Sequence, residues 1–142
     1  MSFLLDTNVI SEVRKKSPDP SVREWFASVS GTQLYLSVLV VGEIRQGVDR
    51  LQRTDPRKAS VYEEWLEVLR REYSDRLLPI TTAIAMEWGR LNAVDPIPVI
   101  DGLLAATAKV HALTLVTRNT VDVIRTGVRV LNPFDPAKKS RV

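Results

Sequence analysis

The chain has 142 residues, 44% of them hydrophobic, which fits one domain with one well-buried core and excludes an intrinsically disordered chain. It contains no cysteine, which removes disulfides, thiolate metal ligands and cysteine nucleophiles together and fits a reducing compartment. Twenty Lys and Arg against seventeen Asp and Glu leave a net charge of +3, a mild excess that permits an anionic partner without demanding one.

Met1-Ser2-Phe3-Leu4-Leu5-Asp6 carries no basic leader, and no apolar run approaches the roughly 20 residues of a membrane-spanning helix. A soluble, cytoplasmic protein with no membrane partner is expected. Phe3-Leu4-Leu5 reads as a short strand ending at Asp6-Thr7-Asn8, good capping residues from which Val9-Ile10-Ser11-Glu12-Val13 resumes as helix. Ser17-Pro18-Asp19-Pro20 breaks that helix and starts another, with Asp19 as N-cap and Pro20 at the first helical position. This second helix is expected to reach Ser30 and close at Gly31.

Leu34-Tyr35-Leu36 is a second strand, after which Ser37 can cap a helix whose Val41, Ile44, Val48 and Leu51 share one face and whose early turns carry Glu43. Asp55-Pro56 repeats the cap-and-proline signal, and Val61, Trp65, Val68 and Leu69 supply the next apolar stripe, so the two helices form a hairpin inserted between strands. Leu77-Leu78-Pro79-Ile80 reads as a third strand, at an edge because of its proline, before Thr82 caps a helix through Met86 and Leu91. Asp95-Pro96-Ile97-Pro98 is a stiff linker, and Val99-Ile100-Asp101 opens a helix carried on by Leu103, Leu104, Thr107, Ala108 and His111.

Leu113-Thr114-Leu115-Val116-Thr117 is an unbroken β run of the kind buried on both faces, the clearest central strand in the chain. Residues 119–124 allow one or two helical turns, and Val128-Arg129-Val130-Leu131 is a last strand. Strands alternating with helices predict an α/β fold with a central, mainly parallel sheet covered on both faces. The expected organisation is one domain over 1–135 and a flexible basic tail over 136–142.

In an open parallel sheet, ligands bind outside the carboxyl ends of the strands. Asp6 ends the first strand, Glu43 follows the second, Asp101 opens its helix and Asp122 lies just beyond the central strand, so all four are placed to converge. Clustered carboxylates repel, and hard divalent cations favour such oxygen ligands, which implies magnesium or manganese. With His111 as the one imidazole, zinc and copper do not fit. Magnesium held by carboxylates can lower the pKa of a water and neutralise a phosphodiester, and no Ser/His/Asp or Cys/His arrangement offers a protein nucleophile instead.

Each acid alone also has an ordinary reading: Asp6 and Asp101 as helix caps, Glu43 as a solvated helix residue, Asp122 as part of a turn. Asn8, Thr117 and Asn119 can orient carboxylates or waters around such a cluster, or simply cap and turn the chain. His111 reads as a partly exposed helix residue, and Trp25, Trp65 and Trp88 as core or interface. Arg14, Lys15, Lys16, Arg45, Arg50, Arg53, Arg57 and Lys58 could flank a nucleic-acid backbone, though such runs are usually a solvated face. Arg118, between Thr117 and Asn119 at a strand end, is the basic residue expected nearest a bound phosphate.

Four stretches resemble the PIN-domain ribonucleases, and within them the VapC/FitB-like toxins of prokaryotic toxin–antitoxin pairs. They are Leu4-Leu5-Asp6-Thr7-Asn8-Val9-Ile10-Ser11-Glu12, Gly42-Glu43-Ile44-Arg45-Gln46-Gly47, Asp101 to Ala106 with Ala108, and Leu113 to Asn119 followed by Asp122. They span the chain in the family's order. The resemblance implies a PIN-like three-layer α/β/α fold, Mg²⁺- or Mn²⁺-dependent endoribonuclease activity on an RNA substrate, and a cognate antitoxin protein. It implies Asp6, Glu43 and Asp101 as metal-binding acids, Asp122 as a more variable fourth, and Thr117 and Asn119 as their polar support. It further implies a homodimer, with DNA engaged only indirectly through the antitoxin. Val123 departs from the pattern, standing where an aromatic residue often follows the last acid.

Two other readings compete. A strand-end Asp6 resembles the nucleophile of haloacid-dehalogenase-like phosphatases, but that pattern wants a second Asp two residues on, and Asn8 stands there. A catalytically silent PIN-like module binding RNA or a protein partner would be expected to have lost acids that this chain retains.

Overall fold

The computed structural model describes residues 1–135 together with the backbone of Ser140 and Arg141. The remainder of the expected tail, 136–142, lies outside the described residues. Six strands form one sheet: Phe3–Leu5 (β1), Leu34–Ser37 (β2), Leu77–Leu78 (β3), Thr114–Val116 (β4), Val130–Leu131 (β5) and Ser140–Arg141 (β6). Their order is β3-β2-β1-β4-β5-β6; the first five run parallel and β6 pairs antiparallel with β5.

Side-chain alternation along these strands builds two separate cores. Phe3 and Leu5 of β1 and Leu34 and Leu36 of β2 face one side, where Thr7–Val13 (α1), Pro20–Ser28 (α2), Val38–Gln52 (α3) and Pro56–Glu72 (α4) cover them with Val9, Ile10, Trp25, Val40, Ile44, Val48, Leu66 and Leu69. Leu4 and Leu115 face the other side with Leu104, Ala105 and Ala108 of Val99–Val110 (α6), Val123 of Thr120–Val123 (α7), and Leu91 of Thr82–Val94 (α5). The result is three layers, α/β/α, with α3 and α4 as the inserted hairpin. Small residues let α6 lie close to its neighbours, and at Gly102 a Cβ would meet the Trp88 ring at 3.0 Å.

The capping chemistry mostly follows the sequence. Asp19 accepts from the Ser21 and Val22 N–H groups with Pro20 at the helix start, Ser37 caps α3, and Asp55 caps α4 ahead of Pro56. Four local expectations need correction. Helix α1 begins at Thr7 because the Asp6 carboxylate caps it directly. Helix α2 stops at Ser28, and Gly31 instead opens a 3₁₀ turn, Gly31–Gln33, held by a reciprocal Ser30–Gln33 capping box. Thr81, whose hydroxyl accepts from the Ile84 N–H, caps α5 in place of Thr82. The third strand shrinks to two edge residues, since Pro79 has no N–H to extend the ladder.

The apolar stripe of α4 is also rotated from the expected one. Val61 and Val68 face solvent, at 55% and 37% exposure, while Ala59, Leu66 and Leu69 carry the burial and Tyr62 and Trp65 flank them. Leu66→Ala should therefore cost about 2–5 kcal/mol, whereas Val68→Ala should stay within about 0.5 kcal/mol. Equilibrium urea unfolding of the two variants checks this assignment, and equal losses would place the wrong face of α4 against the core.

Candidate active site

The site is built outward from Asp6. Its N–H donates to the Val116 carbonyl at 2.9 Å, continuing the β1–β4 ladder one residue past the strand, so its side chain emerges at the carboxyl edge of the sheet with only 7% exposure. A carboxylate this buried needs hydrogen-bond donors. One oxygen accepts from the Thr7 N–H at 2.7 Å; the other accepts from the Thr117 hydroxyl at 2.7 Å and the Asn8 amide at 3.3 Å. Asp6 is thus a helix cap and a buried acid at once, one oxygen serving each purpose.

Thr117 follows β4 directly and is itself buried. Its hydroxyl donates to Asp6 and accepts from the Asn119 N–H at 3.1 Å, and the Asn119 side-chain amide donates to Asp101 at 2.9 Å. This is a continuous chain of bonds from β1 through the loop after β4 to the first turn of α6. Asn8 closes the other side, accepting from the Arg118 N–H at 3.3 Å. Asn8, Thr117 and Asn119 all bond to the acids or to the loop that carries them.

Glu43 enters from the second turn of α3, and the Thr7 hydroxyl donates to it at 2.6 Å. Asp122, in α7, faces Arg125 at 3.5 Å, and Arg125 is held more closely by Asp95 at 2.9 Å. The four acids interact electrostatically at Asp101. Partial burial pushes its carboxyl above the ordinary carboxylate range, the Asp6 charge adds to that, and Asp122 and Glu43 contribute further, against the opposing hydrogen bond from Asn119. Among the described residues, no three His, Asp or Glu groups are gathered tightly enough to hold an ion as they stand. Three of the acids instead rest on a hydroxyl or an amide.

Of the basic candidates, Arg45 is engaged by Asp49 and Glu63, and Lys15 by Glu12. Arg14 lies over the Tyr62 and Trp65 rings and Lys58 over Tyr62. Arg118 is exposed, with its guanidinium 4.4 Å over the Phe134 ring. Lys15, with help from the Asp19 N–H and Arg118, holds the Glu12 carboxyl below the ordinary carboxylate range. His111 is the exposed C-cap of α6. The sequence reading missed Thr7 as a partner of Glu43, because the two lie 36 residues apart and no local spacing joins them. It also missed Arg125, whose Asp122 and Asp95 contacts follow from the turn after α7.

Comparison with known proteins places this geometry. The PIN domain model matches residues 3–126. The toxin FitB of Neisseria gonorrhoeae is 36% identical over 93% of this chain and 98% of its own length, and the VapC ribonuclease Y4jK of Sinorhizobium fredii is 31% identical over 95% and 99%. Among solved structures, FitAcB from Neisseria gonorrhoeae superposes with a TM-score of 0.86 at 36% identity, covering 93% of this chain and 98% of that one. With the match running from β1 to the turn after α7, the chain belongs to the PIN domain family.

Proposed function

We propose that this protein is an endoribonuclease dependent on Mg²⁺ or Mn²⁺, acting as the toxin of a toxin–antitoxin pair. The observation that carries this reading is an all-oxygen set of acids beyond the carboxyl edge of a parallel sheet, with Asp6 and Asp101 joined through Thr117 and Asn119 and Glu43 held by Thr7. That donor chemistry fits a hard divalent cation. The names of the related proteins, a toxin and a ribonuclease, support the activity. Solved relatives described as FitAcB and as FitAB bound to a DNA fragment support an antitoxin partner, with DNA engaged through that partner. A homodimer in the cytoplasm completes the proposal; no helix of the described residues is long and apolar enough to cross a membrane.

Asp6, Glu43, Asp101 and Asp122 would hold the cation. When bound, it would neutralise charge on the scissile phosphodiester and lower the pKa of the attacking water. The residues of the chain do the rest. Thr117 and Asn8 orient Asp6, Thr7 orients Glu43 and Asn119 orients Asp101, so three of the acids rest on donors of the chain itself and would draw together from there around an ion. Arg118 supplies a positive group at the rim for a phosphate oxygen of the RNA.

Purified, antitoxin-free protein should cut a structured RNA pool with Mg²⁺ or Mn²⁺ and not with chelator, and Asp6→Asn or Asp101→Asn should abolish cleavage while the protein stays folded. An active Asp6→Asn protein would sink the assignment, and a folded wild type that never cuts would favour a silent binding module. Thr117→Val should weaken cation affinity roughly 10–100-fold, read by titrating activity against Mg²⁺.

The raised Asp101 pKa gives a signed prediction. The folded protein holds that proton at a higher pH than the unfolded chain does, so without cation the ionised carboxylate costs stability above the folded pKa and the cost vanishes on protonation. Asp101→Asn should therefore raise the Tm in chelator at neutral pH, and the cation requirement of the wild type should rise as pH falls toward the carboxylate range. Thermal melts that show Asp101→Asn less stable in chelator would contradict the repulsion.

A further inference from the structure

The bonds around Arg118 divide its backbone from its side chain. The residues on either side, Thr117 and Asn119, turn their side chains onto Asp6 and Asp101, and the Arg118 N–H is fixed by Asn8. The guanidinium takes no part in those bonds. It lies 4.4 Å over the Phe134 ring, and among the described residues no carboxylate is within ion-pair distance of it. It acts on the Glu12 carboxylate only through space, and a cation with no carboxylate in ion-pair contact is available to an anion from outside.

Phe134 is well anchored for this contact. Leu131 of β5 accepts from the Thr117 N–H at 3.0 Å, so the end of β5 is tied to the residue before Arg118. Pro133 is buried, the Phe134 N–H donates to the Asn132 side chain at 3.0 Å, and the ring packs against the core formed with α1–α4. A ring so placed occupies one face of the guanidinium and leaves its N–H edge free. Arginine otherwise loses considerable rotamer entropy when it is ordered on a ligand, and stacking removes part of that loss in advance.

We propose that Phe134 is a positioning residue: it holds the guanidinium of Arg118, the residue between Thr117 and Asn119, with its N–H edge free as a preformed contact for an RNA phosphate beside the scissile one. This rests on the proposed ribonuclease reading. Phe134 contributes to substrate binding through Arg118 and not by touching RNA itself, so its effect appears in Kd and KM and leaves kcat and the Mg²⁺ requirement unchanged.

The test is a double-mutant cycle. Kd for labelled single-stranded RNA is measured in an Asp101→Asn background, which blocks cleavage, and KM and kcat are measured in otherwise unaltered protein. Phe134→Leu keeps an apolar side chain in the core but removes the ring, and should raise Kd and KM roughly two- to fivefold, the size of an exposed cation–π contact. Phe134→Tyr should restore both. Arg118→Ala should weaken binding and lower the salt dependence of Kd by about one phosphate contact, and in that background Phe134→Leu should have no further effect. A Phe134→Leu effect that persists without Arg118 would mean the ring stacks on a base directly and would overturn the proposal. So would Phe134→Leu binding RNA as the wild type does. An Arg118→Ala protein with unchanged Kd and salt slope would overturn the arginine's role while leaving the nuclease reading intact. Absence of RNA cleavage by the unaltered protein would instead fault that underlying reading and the proposal with it.

Discussion

A carboxylate almost without solvent, at the end of a strand that is buried on both faces, constrains everything around it. Asp6 can stay there only because donors reach it from two elements, the start of α1 and the end of β4. The sheet places β4 beside β1, so Thr117 arrives opposite Asp6 by register alone, with Leu5 paired to Val116 one step before. From that point the network spreads: Thr117 fixes Asn119, Asn119 meets Asp101, and Thr7, the residue that starts the capped helix, reaches Glu43. The acids are thereby drawn into one another's field, and their repulsion is the condition that a cation would relieve.

The charge pattern of the surrounding surface is selective. Four of the eight basic residues that looked available are engaged nearby, Arg45 by two carboxylates, Lys15 by Glu12, and Arg14 and Lys58 by the aromatic face of α4. Such exposed pairs add little stability individually. The carboxylate pairs offset the charge of Arg45 and Lys15, whereas Arg14 and Lys58 keep theirs over uncharged rings.

Much of this was legible in the chain because it is encoded locally. Proline and capping residues mark the starts of α2, α3 and α4, the run at 113–117 can only be a buried strand, and Asp6 sits where a strand has just ended, with Glu43, Asp101 and Asp122 in early turns of helices. What escaped the sequence depends on angles that local spacing does not fix. The face of α4 that packs inward is set by how the hairpin leans on the sheet, so Val61 and Val68 point outward although their spacing suits a stripe. Thr7 looks like a capping residue until α3 is laid across α1, and Arg125 looks like surface until the end of α5 folds back beside α7. Gly31 was read as a helix stop, but the Ser30–Gln33 box offers the backbone a better-bonded turn.

The hairpin of α3 and α4 has a root and a tip with different duties. Glu43 lies at the root, a turn and a half beyond β2, where Ser37 caps the helix and Thr7 meets the carboxylate. The tip, around Arg53 to Asp55, is roughly 15 Å farther along the helix axis, given a rise of about 1.5 Å per residue. Movement or altered length at that end is absorbed before it reaches the acid. The outer hairpin is therefore a part of the molecule that evolution or an engineer can reshape, exchanging one surface for another while the acids beneath it keep their geometry.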